Sequence, residues 1–253
     1  MRVDWSPLRR ELALWRAEGR HPPLWWRDDD AVRATAALED LTALATALEL
    51  PVHLAVIPAF AEPSLAEAVA ESPMLLPTVH GWAHENRAAP GAKKAEFGAA
   101  HPDSATLLSR GLTKLQALFG PRLLPVFVAP WNRLHADVLP HLATAGYRAV
   151  STFTPRPQPF ARPGLLIVNT HIDPIDWRGT RGLHDPAVIV AQTVAHLQAR
   201  RAGTEDPTEP LGYLTHHLVH DADIWSFSRA LLTELLDGGA TATPLTQLLK
   251  DTA

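Results

Sequence analysis

The sequence predicts an α/β fold built on parallel strands, a βα-barrel or an open α/β sheet. Two observations carry that expectation. Seven short apolar runs alternate along the chain with about as many segments of helical period, the pattern of repeated βα units. No long linker or shift in composition divides the 253 residues, and 46% hydrophobic with 20% charged residues is enough to form one large core.

The elements follow in order. Ser6–Glu18 reads as an amphipathic helix, with Ser6 as N-cap, Pro7 at the first helical position, and Leu8, Leu12 and Trp15 on one face. The apolar runs Pro23–Arg27, Val52–Pro58, Leu75–Val79, Leu124–Ala129, Ala149–Phe153, Leu165–Asn169 and Leu211–Thr215 read as strands. Between them, Val32–Leu48, Ser64–Glu71, Ser104–Phe119, His135–Ala145, Pro186–Arg201 and Ala222–Leu236 read as helices. The proline-rich pieces Thr154–Pro163 and Thr204–Pro210 are expected to be ordered loops. The expected division is an N-terminal helix within residues 1–20, packed on a domain spanning 21–253.

Charge and composition narrow the function. The formal net charge is −4, and the 19 Arg and 4 Lys form no basic stripe, so no nucleic-acid partner is expected. Cysteine is absent, which excludes thiolate metal sites and Cys nucleophiles and leaves His, Asp and Glu as the strong metal ligands. Met1 to Arg20 holds no apolar run of signal-peptide length, and nothing matches the ~20 apolar residues of a membrane span, so a cytoplasmic protein without a membrane partner is expected. Oligomeric state is not legible.

Polar residues gather where apolar runs end, and in a parallel barrel those ends share one rim. Arg27-Asp28-Asp29-Asp30 follows Trp25-Trp26; three adjacent carboxylates repel unless solvated or bound to a cation. His80-Gly81-Trp82-Ala83-His84 follows Leu75–Val79, and two imidazoles four apart on a helical turn point the same way, which suits two metal ligands. Pro130-Trp131-Asn132-Arg133 closes the fourth run and offers a backbone N–H to a substrate. Asp173-Pro174-Ile175-Asp176-Trp177 follows the sixth. Leu214-Thr215-His216-His217 runs directly from the seventh into histidines.

Taken in this order, the five sites resemble the NodB-like polysaccharide deacetylases, carbohydrate esterase family 4, from Pro23 to about Leu249; Gly239–Thr246 resembles that family's last short strand and closing helix. The resemblance implies a single-domain distorted (β/α)7 barrel. It also implies metal-dependent hydrolysis of an N-acetyl amide on a sugar, polysaccharide or small N-acyl substrate. In those terms Asp29 is the general base, and Asp30, His80 and His84 hold one divalent cation, zinc foremost. A one-residue slip would give Asp28 and Asp29 instead, and the triple Asp does not settle it. The Trp131 N–H matches the oxyanion donor, Asp176 and Trp177 match DxxDW with the Trp lining an acyl pocket, and His216 matches the general acid. His217 is its rival, because strand alternation puts the two on opposite faces.

Three positions depart from that pattern: Ala31 for Gly, Gly81 for Ser or Thr, and Ala129 for the Arg that orients the base, a charge that Arg27 or Arg133 can supply. Two other readings stand beside deacetylation: hydrolysis of another C–N bond, as in cyclic amides or ureides, and a non-catalytic sugar-binding barrel.

Overall fold

The computed structural model describes residues 3–251; Met1, Arg2, Thr252 and Ala253, the ends of the two expected segments, lie outside the described residues. The elements are α1 (Ser6–Ala17), β1 (Pro23–Ala31), α2 (Ala36–Ala47), β2 (Val52–Val56), α3 (Pro63–Glu71), β3 (Leu75–His80), α4 (Ser104–Phe119), β4 (Val126–Val128), α5 (Leu139–Ala145), β5 (Ala149–Ser151), β6 (Phe160–Arg162), β7 (Leu165–Ile167), α6 (Pro186–Ala202), β8 (Leu211–Thr215), α7 (Ala222–Asp237), β9 (Thr241–Ala242) and α8 (Leu245–Asp251).

The sheet runs β6-β7-β5-β4-β3-β2-β1-β8, with β9 beside the start of β1, and all pairs but β6–β7 are parallel. Past β7 the chain bends back onto β8: Ile172 bridges Tyr213, and the N–H groups of His171 and Ile172 donate to Gly212 O at 2.8 and 3.1 Å. This irregular pairing links the chain just past β7 to β8, at the other end of the strand order. Strands β2 and β8 are buried at every residue, which is why they read as continuous apolar runs rather than alternating ones.

Three local expectations are corrected. Ser6 is the first helical residue and not the N-cap; its N–H is taken by Asp4 Oδ1 at 2.9 Å. The helix expected from Val32 starts at Ala36, because Thr35 is the residue whose side chain caps it, accepting from Leu38 N at 3.1 Å. Part of Thr154–Pro163 is strand: Phe160–Arg162 forms a hairpin with β7, turned by Gly164 at φ 77°.

Helix α1 lies against α6 and α7. Leu8, Leu12 and Trp15 are buried, Trp15 Nε1 donates to Leu197 O at 3.3 Å, and Glu11 and Glu234 take Arg201 and Arg9. No helix among the described residues is long and apolar enough to cross a membrane.

Candidate metal centre and active site

Strand periodicity sorts the four charged residues of β1. Residues two apart share a face, so Arg27 and Asp29 point one way and Asp28 the other. Arg27 Nε and Nη2 donate to the two Asp29 oxygens at 2.8 and 3.0 Å, a bidentate pair, and the guanidinium also donates to Asn132 Oδ1 and Ser151 Oγ, both at 2.7 Å. Arg27 is fully buried, so these partners are what make its charge tolerable. Of the two arginines weighed in place of Ala129, Arg27 is the one that pairs with Asp29, while Arg133 donates to Lys94 O.

On the opposite face, Asp28 is fully buried and accepts from Thr215 Oγ1 at 2.6 Å, from His217 N at 2.9 Å, and from the His217 ring. Burial raises the Asp28 carboxyl, but the His217 charge and these hydrogen bonds hold it below the usual carboxylate range. Burial likewise disfavours charge on His217, and Asp28 outweighs it, leaving His217 above the usual histidine range. These two residues are thus committed to each other, and His216, the next residue along, lines the cavity with its ring 4.8 Å from that of Trp177.

A bulge then re-aims Asp30. The register with β2 shifts between Asp29 and Ala31, and Asp30 takes φ 76°. Asp30 Oδ1 reaches 3.2 Å from His80 Nε2 and 3.4 Å from His84 Nε2, and the three ligand atoms lie within 4.8 Å of one another. Of the three adjacent carboxylates, Asp30 is the one that meets the two histidines; Asp28 faces away and Asp29 is taken by Arg27.

The donor set fits a divalent cation. His80 Nδ1 lies 3.1 Å from Val128 O and must carry its proton there, so Nε2 presents a lone pair to Asp30 Oδ1, itself buried without a hydrogen-bond donor. Two acceptors so close need a cation between them, or a proton. Burial works against charge on His80, but Asp29 and Asp30 pull it above the usual range; burial and His80 together hold His84 below it. Burial raises Asp30, and His80 overrides this to hold it far below the usual carboxylate range.

The two histidines do not sit on a helical turn. His80 ends β3, and Gly81 at φ 56° and His84 at φ 54° swing the chain back. Glu96, buried and unforeseen from the sequence, holds that loop by accepting the N–H groups of Trp82, Ala83 and His84 at 3.0, 2.8 and 3.3 Å.

Trp131 and Asn132 both adopt left-handed backbone, at φ 53° and 56°, and the Trp131 ring packs 4.1 Å from that of His84. The Trp131 N–H lies in a turn whose other N–H groups, of Asn132 and Arg133, are used internally. Strain of this kind at a cavity wall is a mark of function.

In the Asp173–Trp177 segment, Asp173 and Trp177 line the cavity and Asp176, the carboxylate expected there, does not. Asp176 turns away from the cavity and caps a loop, accepting from Gly179 N at 3.0 Å and Thr180 N at 3.2 Å. Asp173 lines the cavity instead, accepting from Trp177 Nε1 at 2.8 Å and Ile175 N at 2.9 Å. Burial pushes its carboxyl up, with the His216 charge opposing.

One cavity of about 920 Å³ joins Asp29, Asp30, His80, His84, Trp131 and His216. A second cleft of about 760 Å³ shares Asn132 and Arg133 with it and is lined by the loop after His84.

Neither family models nor curated proteins match the chain. Solved structures do. A Mycobacterium smegmatis protein described as a polysaccharide deacetylase superposes with TM-score 0.64 at 18% identity, over 85% of this chain and 76% of that one. A family 4 carbohydrate esterase from Streptomyces lividans, in complex with acetate, gives TM-score 0.57 at 14% identity over 90% and 94% of the two chains. A family 4 pseudoenzyme from Bacillus anthracis gives TM-score 0.57 at 11% identity over 90% and 66%. The chain has the fold of the NodB-like polysaccharide deacetylases, carbohydrate esterase family 4.

Proposed function

We propose that the protein is a metal-dependent hydrolase that removes an acetyl group from an N-acetylated sugar or polysaccharide. The observation that carries this reading is the convergence of Asp30, His80 and His84 with a separately held carboxylate, Asp29, and a free-faced imidazole, His216, around one cavity. A divalent cation at Asp30, His80 and His84, zinc foremost, supplies Lewis-acid polarisation of the amide carbonyl and acidifies water.

The chain's own residues divide the remaining work. Asp29, fixed in orientation by the two Arg27 hydrogen bonds, takes the proton of the attacking water. The Trp131 N–H, aimed by its left-handed backbone, donates to the oxygen on which negative charge develops. His216 delivers a proton to the departing amine, with Asp173 lining the same cavity. Trp177, edge-on to His216, walls the space for the acyl group.

Because a family 4 pseudoenzyme shares this fold, fold alone does not separate turnover from sugar binding. The intact set of ligand and proton-transfer residues supports turnover, since acidic groups gathered without a cation are costly. Acetate release from a panel of N-acetylated sugars and oligosaccharides by zinc-loaded protein, with Asp29→Asn beside it, tests the reading; Asp29→Asn is expected to lose at least roughly 10²-fold in rate. Turnover of cyclic ureides and not of the acetylated panel would replace it with the other C–N hydrolase reading. Tight oligosaccharide binding without turnover would replace it with the sugar-binding one.

A further inference from the structure

The cavity carries positive charge that no carboxylate among the described residues neutralises. Arg133, Arg178 and Arg181 all line the cavity. Arg133 donates to a backbone oxygen, Lys94 O, and among the described residues neither Arg178 nor Arg181 has a carboxylate partner. The carboxylates that face the same space are each committed elsewhere: Asp29 to Arg27, Asp30 with His80 and His84 to the candidate cation site, Asp173 to Trp177 Nε1 and Ile175 N. Two others lie close to the loop and are also occupied. Asp176 accepts Gly179 N and Thr180 N, and Asp221 caps α7 by accepting Ile224 N at 2.8 Å.

The loop bearing Arg178 and Arg181 is built rather than slack. Asp176 N donates to Gly182 O and Arg181 N to Asp176 O, both at 2.9 Å; Thr180 Oγ1 accepts from Gly182 N; and Ile175 bridges Leu183. Arg181 adopts φ 61°, and its guanidinium carbon stands 5.7 Å from the Trp177 ring centroid, against the residue that borders His216. Asp176 holds this turn through its bonds from Gly179 N and Thr180 N. In a chain of net charge −4, unpaired arginines collected on one wall of the reactive cavity stand against the overall charge.

We propose that Arg178 and Arg181 form an anion subsite, and that the substrate is an N-acylated saccharide bearing an acidic group, a carboxylate, sulfate or phosphate, on the side of the scissile amide that Trp177 borders. This rests on the deacylase reading of the same cavity. Guanidinium groups bind all three anions through charge-assisted hydrogen bonds.

The test compares calorimetric binding of three tetrasaccharides by the zinc-loaded protein: N-acetylglucosamine alternating with glucuronic acid, the same compound with its carboxylates reduced to alcohols, and that neutral compound carrying sulfate or phosphate esters. The acidic ligands are expected to bind about tenfold or more tightly than the neutral one at low ionic strength, with the advantage shrinking at high salt. Which acidic ligand gains most identifies the anion. The double variant Arg178→Gln/Arg181→Gln should lose the preference, and Arg178→Lys/Arg181→Lys should retain part of it. Equal binding of neutral and acidic compounds, or a preference that survives the Gln variant, overturns the proposal. An arginine-dependent preference without acetate release would keep the subsite and remove the deacylase reading, so the two failures are distinguishable.

Discussion

Gly81 leaves the room that the Glu96 carboxylate fills. A Cβ at residue 81 would lie 2.1 Å from Glu96 Oε2 and 2.4 Å from Pro130 Cγ, on a backbone already at φ 56°. The residue that departs from the resembled pattern after the first histidine is thus matched to a carboxylate that holds the N–H groups up to His84. Gly81→Ala is expected to displace Glu96 and weaken zinc binding roughly 10–100-fold, the usual cost of disturbing the shell behind metal ligands. Glu96→Gln should do the same, because its amide NH₂ would face N–H donors. Chelator competition measures both, and unchanged affinity in either would show that the loop holds its shape without this pair.

Arg27 is fully buried, and its removal leaves Asp29 without its two strongest donors. Breaking a buried pair typically costs about 3–5 kcal/mol, so Arg27→Met should lower unfolding stability by that order. Turnover should fall with it, since the base loses its orientation. Denaturant unfolding and kcat together check this; a variant as stable and as fast as the wild type contradicts the pairing as described.

The two adjacent histidines should separate cleanly. His216→Ala is expected to retain stability and lose roughly 10²-fold or more in turnover, as for a missing general acid. His217→Ala should instead destabilise the protein by several kcal/mol, on the order of a buried carboxylate left unpaired, because Asp28 is fully buried. Thermal unfolding and steady-state kinetics on both variants decide it; the reverse pattern would make His217 the acid.

His53 sets a pH dependence away from the site. Its Nδ1 lies 2.9 Å from Trp26 O and its Nε2 accepts from Leu245 N at 3.0 Å, so the buried ring is held neutral. Burial lowers its pKa from 6.5 to about 4, the Trp26 carbonyl only partly opposing. Between those values the unfolded chain binds the proton that the folded one refuses, so folded stability falls as pH drops from 6.5 toward 4 and levels below. Urea unfolding across that range should show the slope in the wild type and a shallower one in His53→Gln. Parallel slopes would remove His53 as the cause.

Much of this was legible in the sequence, for physical reasons. Parallel strands buried on both faces leave long apolar runs, so β1, β2, β3 and β8 were visible, whereas the three-residue β6 has exposed ends and lay hidden in a proline-rich stretch. Alternation along β1 puts Arg27 and Asp29 on one face, and alternation carried past β8 separates His216 from His217, but the bulge that turns Asp30 to the histidines is a tertiary feature that no pattern of period two contains. That Asp173 and not Asp176 lines the cavity was not legible, because the loop turn that takes up Asp176 forms only in the folded chain. Glu96 gave no local signal, lying 12 residues past His84 in a loop whose fold depends on Phe97 packing under Phe127.

The most direct test of the central claim is zinc binding by calorimetry on metal-stripped protein, wild type beside His84→Ala and Asp30→Asn. The account predicts one zinc per wild-type chain and loss of that site in both variants. No zinc bound by the wild type, or equal binding in all three, would contradict it.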